Sequence, residues 1–130
     1  MIVLDAWAVL AVLNDEPAAA RVERALADDA GLISWINLGE VLYRAIPRRG
    51  EHRALDAVRS VRRRLRVEDV DGALVTDAAR LKAAHRLSYA DAFCVATARR
   101  HDAPLYTGDP EILALKDLAQ LVDLRAEPAS

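Results

Sequence analysis

The chain has 130 residues, of which 53% are hydrophobic and 29% charged, and its formal net charge is −2. This length predicts one domain, residues 1–130, with a core large enough to fold without staples, and the single Cys94 excludes an internal disulfide. No basic leader with a cleavage site is visible and no apolar stretch approaches the ~20 residues that span a membrane, so we expect a soluble cytoplasmic protein.

The predicted elements alternate between short apolar strands and longer helical patterns along the whole chain. We predict strands at 2–6, 32–35, 66–70, 104–107 and 119–124. We predict helices at 8–15, at 17–28, from Asn37 to 47–50, through Leu55, Val58 and Leu65, at 73–86, at 89–101 and from Asp109 onward. The last residues, 125–130, are expected to be frayed. This alternation predicts an α/β fold with a central parallel sheet of four to five strands and helices on both faces.

Three of the predicted helices begin with side chains that cap helices. Asn37, with Glu40 three residues later, matches a capping box, and this places Glu40 in the first turn. Ser88 and Asp91 match the same pattern. Asp109 precedes a proline, which is favoured at the first helical position. Capping alone therefore explains the acids at 40, 91 and 109 when each is taken singly.

Asp5 is harder to explain by capping or solvation. It follows an apolar run, precedes an alanine-rich segment and has no basic neighbour in sequence. An enclosed carboxylate without a partner is costly. Ligands of parallel sheets bind at the carboxyl ends of the strands, where the pattern also places Glu40 and Asp109, and Asp91 joins them if its helix begins at that edge. A cluster of four acids must be neutralised by a cation or keep its carboxylates protonated. Oxygen ligands suit Mg²⁺ or Mn²⁺, so the pattern indicates a metal-dependent phosphodiesterase.

Arginines are concentrated between Arg44 and Arg66. This segment holds nine arginines, half of the 18 lysines and arginines of the chain. Two interpretations stay open: a basic surface that binds a polyanion, or the solvated face of a long helix. The first predicts RNA contacts for Arg44, Arg48, Arg49, Arg62, Arg63 and Arg64.

Four segments together resemble a known family, the PIN-domain ribonucleases, and within it the VapC-type toxins of toxin–antitoxin pairs. The segments are VLDAWAVLAVL, INLGEVLYR, LSYADAFCVATA and LYTGDPEI, and they match the acidic motifs of the family in order, spacing and neighbours. The resemblance covers essentially the whole chain. It implies a PIN-like fold and an endoribonuclease that acts as the toxin of such a pair.

The resemblance also implies roles for individual residues. Asp5, Glu40, Asp91 and Asp109 form the catalytic quartet, of which Asp5, Asp91 and Asp109 hold Mg²⁺ or Mn²⁺. Thr107 and Asn37 resemble the polar residues that support the site. The implied partners are an RNA substrate, a small antitoxin protein that inhibits the active site, and a second copy in a homodimer. An antitoxin arginine among the carboxylates would pair well with them and displace the metal.

Trp7 departs from the pattern, since the family usually has Ser or Thr two positions after the first aspartate. The change removes a hydroxyl that could support the metal site. Two readings stay open for the indole: it stacks on an unpaired base of RNA, or it packs in the core or an interface.

An acidic cluster on this fold is also compatible with two rival functions. A PIN-like domain that binds RNA or protein without catalysis is the alternative, whereas a phosphatase with an aspartate nucleophile is disfavoured because Lys82 and Lys116 fall inside helices. We also expect an apolar surface for partners on the early helices, because exposed apolar patches usually mark interfaces. Its expected members are Val9, Leu10, Val12, Leu13, Val41, Leu42 and Ile46.

Overall fold

The computed structural model of the chain describes residues 1–125, so the predicted fraying of the tail lies outside these residues except at Arg125. Within them, five strands alternate with seven helices. The strands are β1 (Ile2–Leu4), β2 (Gly31–Ser34), β3 (Leu65–Glu68), β4 (Leu105–Thr107) and β5 (Leu121–Asp123). The helices are α1 (Ala6–Leu13), α2 (Ala19–Asp28), α3 (Trp35–Arg49), α4 (Glu51–Arg64), α5 (Gly72–Ala84), α6 (Tyr89–His101) and α7 (Pro110–Leu113).

The five strands form one sheet in the order β3-β2-β1-β4-β5, and every neighbouring pair is parallel. β1 lies in the centre, with β2 on one side and β4 on the other. Val3 lies opposite Leu32 of β2 and Leu105 of β4. The order reverses between β1 and β4, so this sheet has its switch point beside the central strand. The predicted α/β class is therefore confirmed.

Alternation along the strands divides the apolar residues between two cores. Val3, Leu32 and Leu105 point to the face covered by α5 and α6. Leu4 and Ile33 point to the opposite face, which α1, α2 and α4 cover. Because successive side chains of a strand alternate between faces, a sheet with helices on both sides needs apolar residues at nearly every strand position. The short strands meet this requirement: every residue of β1 and β2 is buried.

Two strand ends differ from the prediction because a side chain caps the following helix there. β1 ends at Leu4 rather than at Ala6, since Asp5 takes an extended backbone and accepts a hydrogen bond from the Ala8 amide at 2.9 Å. Trp35, predicted to end a strand, is the first residue of α3. The aromatic side chain of Trp35 favours a strand when the sequence pattern is considered alone. The helix nevertheless starts at this residue because Ser34, directly before it, is the N-cap.

The prediction that Asn37 caps its helix is wrong, because Ser34 is the N-cap of α3. The Ser34 hydroxyl accepts a hydrogen bond from the backbone amide of Asn37 at 3.2 Å. The helix therefore begins three residues earlier, and Glu40 lies in its second turn rather than its first. The predicted end is confirmed: α3 continues through Pro47 to Arg49 and stops at Gly50, whose φ of +82° suits glycine.

The expected apolar surface on α1 and α3 is less exposed than predicted. Val9 and Val41 are buried in the core and are not available for partners. The remaining expected members are half-buried: Leu10, Val12, Leu13, Leu42 and Ile46. The large apolar side chains that α3 exposes are instead Trp35, Ile36 and Tyr43. Within residues 1–125, no helix has both the length and the apolar character needed to cross a membrane.

Candidate active site

The site begins where β1 and β4 end side by side. Leu4 lies opposite Tyr106, so the residues that follow them, Asp5 and Thr107, lie level with one another at the carboxyl edge of the sheet. Both are buried. The Thr107 hydroxyl donates a hydrogen bond to Asp5 Oδ2 and accepts one from the Asp109 amide at 3.0 Å. Thr107 therefore links the first and last predicted acids through one oxygen.

Asp91 reaches the same edge because α6 begins there. Ser88 caps α6, and its hydroxyl accepts a hydrogen bond from the Asp91 amide at 3.1 Å, as the sequence pattern predicts. The side-chain amide of Asn37 donates through Nδ2 to the Ala90 carbonyl at 2.8 Å, and its Oδ1 atom accepts from the Ser34 hydroxyl at 2.6 Å. Asn37 thereby ties the start of α3 to the start of α6 and positions both helices beside the strand ends.

The four predicted acids line one open cleft of about 540 Å³. The cleft extends beyond them between α1 and α3. Its lining residues are Asp5, Ala6, Trp7, Leu10, Asn14, Glu16, Glu40, Tyr43, Arg44, Pro47, Arg48, Asp91 and Asp109. A fold that collects carboxylates from four separate segments has the charge and the concave shape of a binding site.

Two of these acids, Asp5 and Asp91, have pKa values near neutral pH. Burial raises the pKa of Asp5 to about 7, against opposing hydrogen bonds from Thr107 and Ala8, and the charges of Asp91 and Asp109 raise it further. Burial and the charge of Asp109 raise the pKa of Asp91 to about 7. Acids whose charged forms are disfavoured by burial and by like charges gain most from a bound cation.

Glu40 differs from the other acids because it has a cationic partner. Arg44 Nε lies 3.1 Å from Glu40 Oε2, one helical turn away. The negative charge of Glu40 is therefore partly compensated within its own helix. Burial raises the pKa of Glu40, the charge of Arg44 lowers it, and the charge of Asp109 raises it again.

Three carboxylates, two of which line the cleft, form a donor set that fits a divalent cation. Asp91, Asp109 and Glu111 each offer a carboxylate oxygen, and these atoms lie within 4.8 Å of one another. Oxygen-only donors suit Mg²⁺ or Mn²⁺. Sequence reasoning missed Glu111, although it lies two residues after Asp109 in the first turn of α7. Asp109 caps this helix and accepts a hydrogen bond from the Glu111 amide at 2.8 Å, which brings the two acids together.

Trp7 packs against the loop that carries Asp109. A Cβ atom on Gly108 would lie only 2.4–2.5 Å from three atoms of the indole ring. Only glycine allows this approach, so the ring lies directly on the backbone between Thr107 and Asp109. Of the two interpretations of Trp7, packing within the protein accounts for this contact. Stacking on RNA stays a prediction for the part of the ring that lines the cleft.

Two of the six arginines predicted to contact RNA line the cleft, namely Arg44 and Arg48. The others do not. Arg49 donates to the Leu13 carbonyl, Arg62 stacks over Trp35 at 4.8 Å from the ring centroid, Arg64 pairs with Glu23, and Arg63 is exposed on α4. RNA contacts by these four stay a prediction that the geometry of the cleft does not favour.

We expect the metal-free protein to lose stability as the pH rises from 5 to 8. The pKa values of Asp5 and Asp91 are raised to about 7, so the folded state binds protons that the unfolded state has released. The free energy of unfolding should fall by on the order of 2 kcal/mol per carboxylate across this range. Denaturant titrations in EDTA at both pH values measure it. Asp5→Asn should flatten the dependence, and wild-type stability that is equal or higher at pH 8 would refute the expectation.

A second prediction concerns the contact between Trp7 and Gly108. Gly108→Ala should weaken Mn²⁺ binding by ~10-fold, because the added methyl group must push the indole or the Asp109 loop away. In a Trp7→Ser background the same change should have little effect, since the clash is absent. Calorimetric titration of Mn²⁺ into the four proteins of this cycle isolates the coupling. An equal effect of Gly108→Ala in both backgrounds would show that the ring does not position the loop.

Comparisons with known proteins agree with the fold described above. The sequence model of the PIN domain family matches residues 2–118. A crystal structure of VapBC2 from Rickettsia felis bound to a DNA fragment of its promoter is similar, with a TM-score of 0.76 and 17% identity over 95% of this chain and 98% of that one. DNA-bound VapBC from Salmonella typhimurium has the same TM-score, with 18% identity over 95% of this chain and 99% of that one.

A third similar structure is VapC20 from Mycobacterium tuberculosis, described as a toxin that cleaves the sarcin–ricin loop. Its TM-score is 0.73, with 24% identity over 89% of this chain and 95% of that one. At these identities the likeness concerns the fold. No curated protein sequence matches the chain significantly. Because the family model spans most of the sequence, from β1 through α7, the chain belongs to the PIN domain family.

Proposed function

We propose that this PIN domain protein is an endoribonuclease that hydrolyses phosphodiesters in RNA with Mg²⁺ or Mn²⁺, as a single domain of residues 1–130. The observation that carries the proposal is the cleft in which Asp5, Glu40, Asp91 and Asp109 meet. So many carboxylates in one place repel an RNA phosphate unless a cation is bound. A site of this kind is therefore suited to chemistry in which a metal and a phosphate arrive together.

The residues that would hold the cation are Asp5, Asp91 and Asp109, and the position of Glu111 supports its addition to this set. A bound divalent cation supplies positive charge that stabilises the phosphate in the transition state and lowers the pKa of water. Thr107 keeps one oxygen of Asp5 hydrogen-bonded, and the Ala8 amide occupies the other. Asp5 is thus held in one orientation before any ligand enters.

Glu40 would act on the attacking water. Arg44 pairs with its Oε2 atom, which leaves Oε1 to accept a proton. Arg44 is half exposed at the cleft, so its guanidinium is also able to reach a phosphate of the substrate. Because water attacks rather than the ribose 2′-hydroxyl, the expected products carry a 5′-phosphate and a 3′-hydroxyl.

We further propose that the nuclease is the toxin of a toxin–antitoxin pair and acts in the cytoplasm. The support is likeness: similar solved structures include VapBC complexes from Rickettsia felis and Salmonella typhimurium. The partner would be a small antitoxin protein, and the toxin would form a homodimer. The pair between Arg44 and Glu40 supports inhibition by an antitoxin arginine, since a guanidinium already pairs with one acid of the cleft.

The alternative is a PIN-like domain that binds RNA or protein without cutting. It requires the acids to serve binding or folding only. The two functions differ in one observable: a nuclease leaves new RNA ends whose number depends on the divalent cation, whereas a binding domain leaves the RNA intact.

Substitution of the acids tests the proposal. Asp5→Asn and Asp91→Asn should each lower the rate of RNA cleavage by ~100-fold or more, through loss of a charged metal ligand. Both variants should fold, because each change removes a carboxylate whose ionised form is disfavoured. The assay sequences the ends of a single-stranded RNA after incubation with Mn²⁺ or with EDTA.

The matched control is Asp77→Asn, since Asp77 is an exposed acid on α5 that pairs with Arg80 outside the cleft. It should cut at the wild-type rate. Wild-type activity of the Asp5 or Asp91 variant would remove that residue from the site. Intact RNA with the wild-type protein in Mn²⁺ would favour the binding domain.

A further inference from the structure

The part of the cleft beyond the acids has a composition of its own. On α3, Glu40 and Arg44 are followed one turn later by Arg48, and Tyr43 lies beside them, so these side chains share one face of the helix. At a rise of 1.5 Å per residue, the eight steps from Glu40 to Arg48 extend the cleft by about 12 Å away from the strand ends. This length leaves room for a neighbouring nucleotide.

Tyr43 offers an unoccupied aromatic surface in this part of the cleft. It is 61% exposed, which makes it the most exposed large apolar or aromatic side chain in the described part of the chain. Among residues 1–125 its ring stacks on no other ring and no arginine. Tyr43 follows Glu40 by three residues on α3, which places its ring on the cleft wall. An exposed ring at the wall of a cleft is suited to stacking on a base.

Arg48 supplies a positive charge on the same wall. It is exposed, it lines the cleft, and within the described residues it forms no ion pair or side-chain hydrogen bond. Its neighbours in the arginine-rich segment are engaged elsewhere: Arg44 pairs with Glu40 and Arg49 donates to the Leu13 carbonyl. Arg48 is therefore the cleft arginine whose guanidinium is free to pair with a phosphate.

We propose that this part of the cleft is a subsite for one unpaired nucleotide next to the bond that is cut, with Tyr43 stacked on its base and Arg48 paired with its phosphate. The proposal rests on the proposed ribonuclease function and adds to it the two residues that hold the substrate beside the cut. A duplex keeps its bases stacked inside and cannot offer a face to Tyr43, whereas a loop or a single strand can. Glu16 also lines the cleft, and its negative charge disfavours a second phosphate there.

The test measures binding of a fluorescent eight-nucleotide single-stranded RNA by anisotropy in Mg²⁺, with Asp91→Asn as the common background so that the RNA stays intact. Tyr43→Ala and Arg48→Ala should each weaken binding by ~10-fold, and Tyr43→Phe should bind like the parent because it keeps the ring. Arg48→Ala should also lower the salt dependence by about one phosphate contact. Glu16→Gln should tighten binding.

Arg63→Ala is the matched control, since Arg63 is an exposed arginine of α4 that does not line the cleft. The subsite is refuted if Tyr43→Ala and Arg48→Ala bind like the parent, if Arg63→Ala weakens binding equally, or if the parent binds a duplex as tightly as a single strand. Loss of binding to a partner protein with RNA binding unchanged would also refute it, and would assign this wall to that partner.

The same variants in the otherwise wild-type protein separate this proposal from the nuclease function. Metal-dependent cleavage with an unchanged KM for Tyr43→Ala and Arg48→Ala would keep the function and refute the subsite. RNA left intact by the wild type, together with binding that depends on Tyr43 and Arg48, would refute the function and keep the subsite. If both proposals hold, KM rises by ~10-fold and kcat changes little.

Discussion

Buried like charges are the constraint on which this structure depends. Asp5 and Asp91 are taken out of water at the carboxyl edge of the sheet, where the charge of Asp91 raises the pKa of Asp5 and the charge of Asp109 raises the pKa of both. An arrangement of this kind costs stability in the absence of a cation, and a folded protein retains it only where the surrounding structure fixes it. The fold thus holds an excess of negative charge in place, and a bound divalent cation would compensate it.

Neutral hydrogen bonds, rather than ion pairs, hold most of the acids in place. Thr107 joins Asp5 to the Asp109 amide, and Asn37 joins the start of α3 to the start of α6. Positioning by neutral groups leaves the negative charge uncompensated and available to a metal. Glu40 is the exception, because Arg44 neutralises it. Charge therefore changes sign along the cleft, from the carboxylates at the strand ends to the arginines on α3.

The parts of this account that the sequence could predict are those that local patterns determine. Apolar runs separated by helical periods gave the parallel sheet, and acids placed after strands gave the cleft, because carboxyl ends of parallel strands meet at one edge. Ser88 with Asp91, and Asp109 before Pro110, were correctly recognised as helix starts. In these two helix starts, the residues that interact are close in sequence.

The parts that sequence could not predict depend on contacts between distant segments or on competition between neighbours. Ser34 displaced Asn37 as the cap of α3, since two polar residues three positions apart can each cap a helix and the backbone conformation decides between them. The packing of Trp7 on Gly108 joins residues 101 positions apart, and no local pattern indicates it. The pair between Arg44 and Glu40 does have helical spacing, but its importance follows only from the burial of Glu40 in the cleft.

The central claim is that this cluster of carboxylates binds a divalent cation, and anomalous diffraction tests it most directly. Crystals grown at pH 7.5 and soaked in Mn²⁺ are measured at an energy where manganese scatters anomalously. The account predicts an anomalous peak in the cleft within about 2.0–2.3 Å of oxygens from Asp91 and Asp109, with Asp5 or Glu111 completing the set, and no such peak in Asp91→Asn crystals. Crystals without a peak among these carboxylates, at millimolar Mn²⁺ and pH 7.5, would contradict the account.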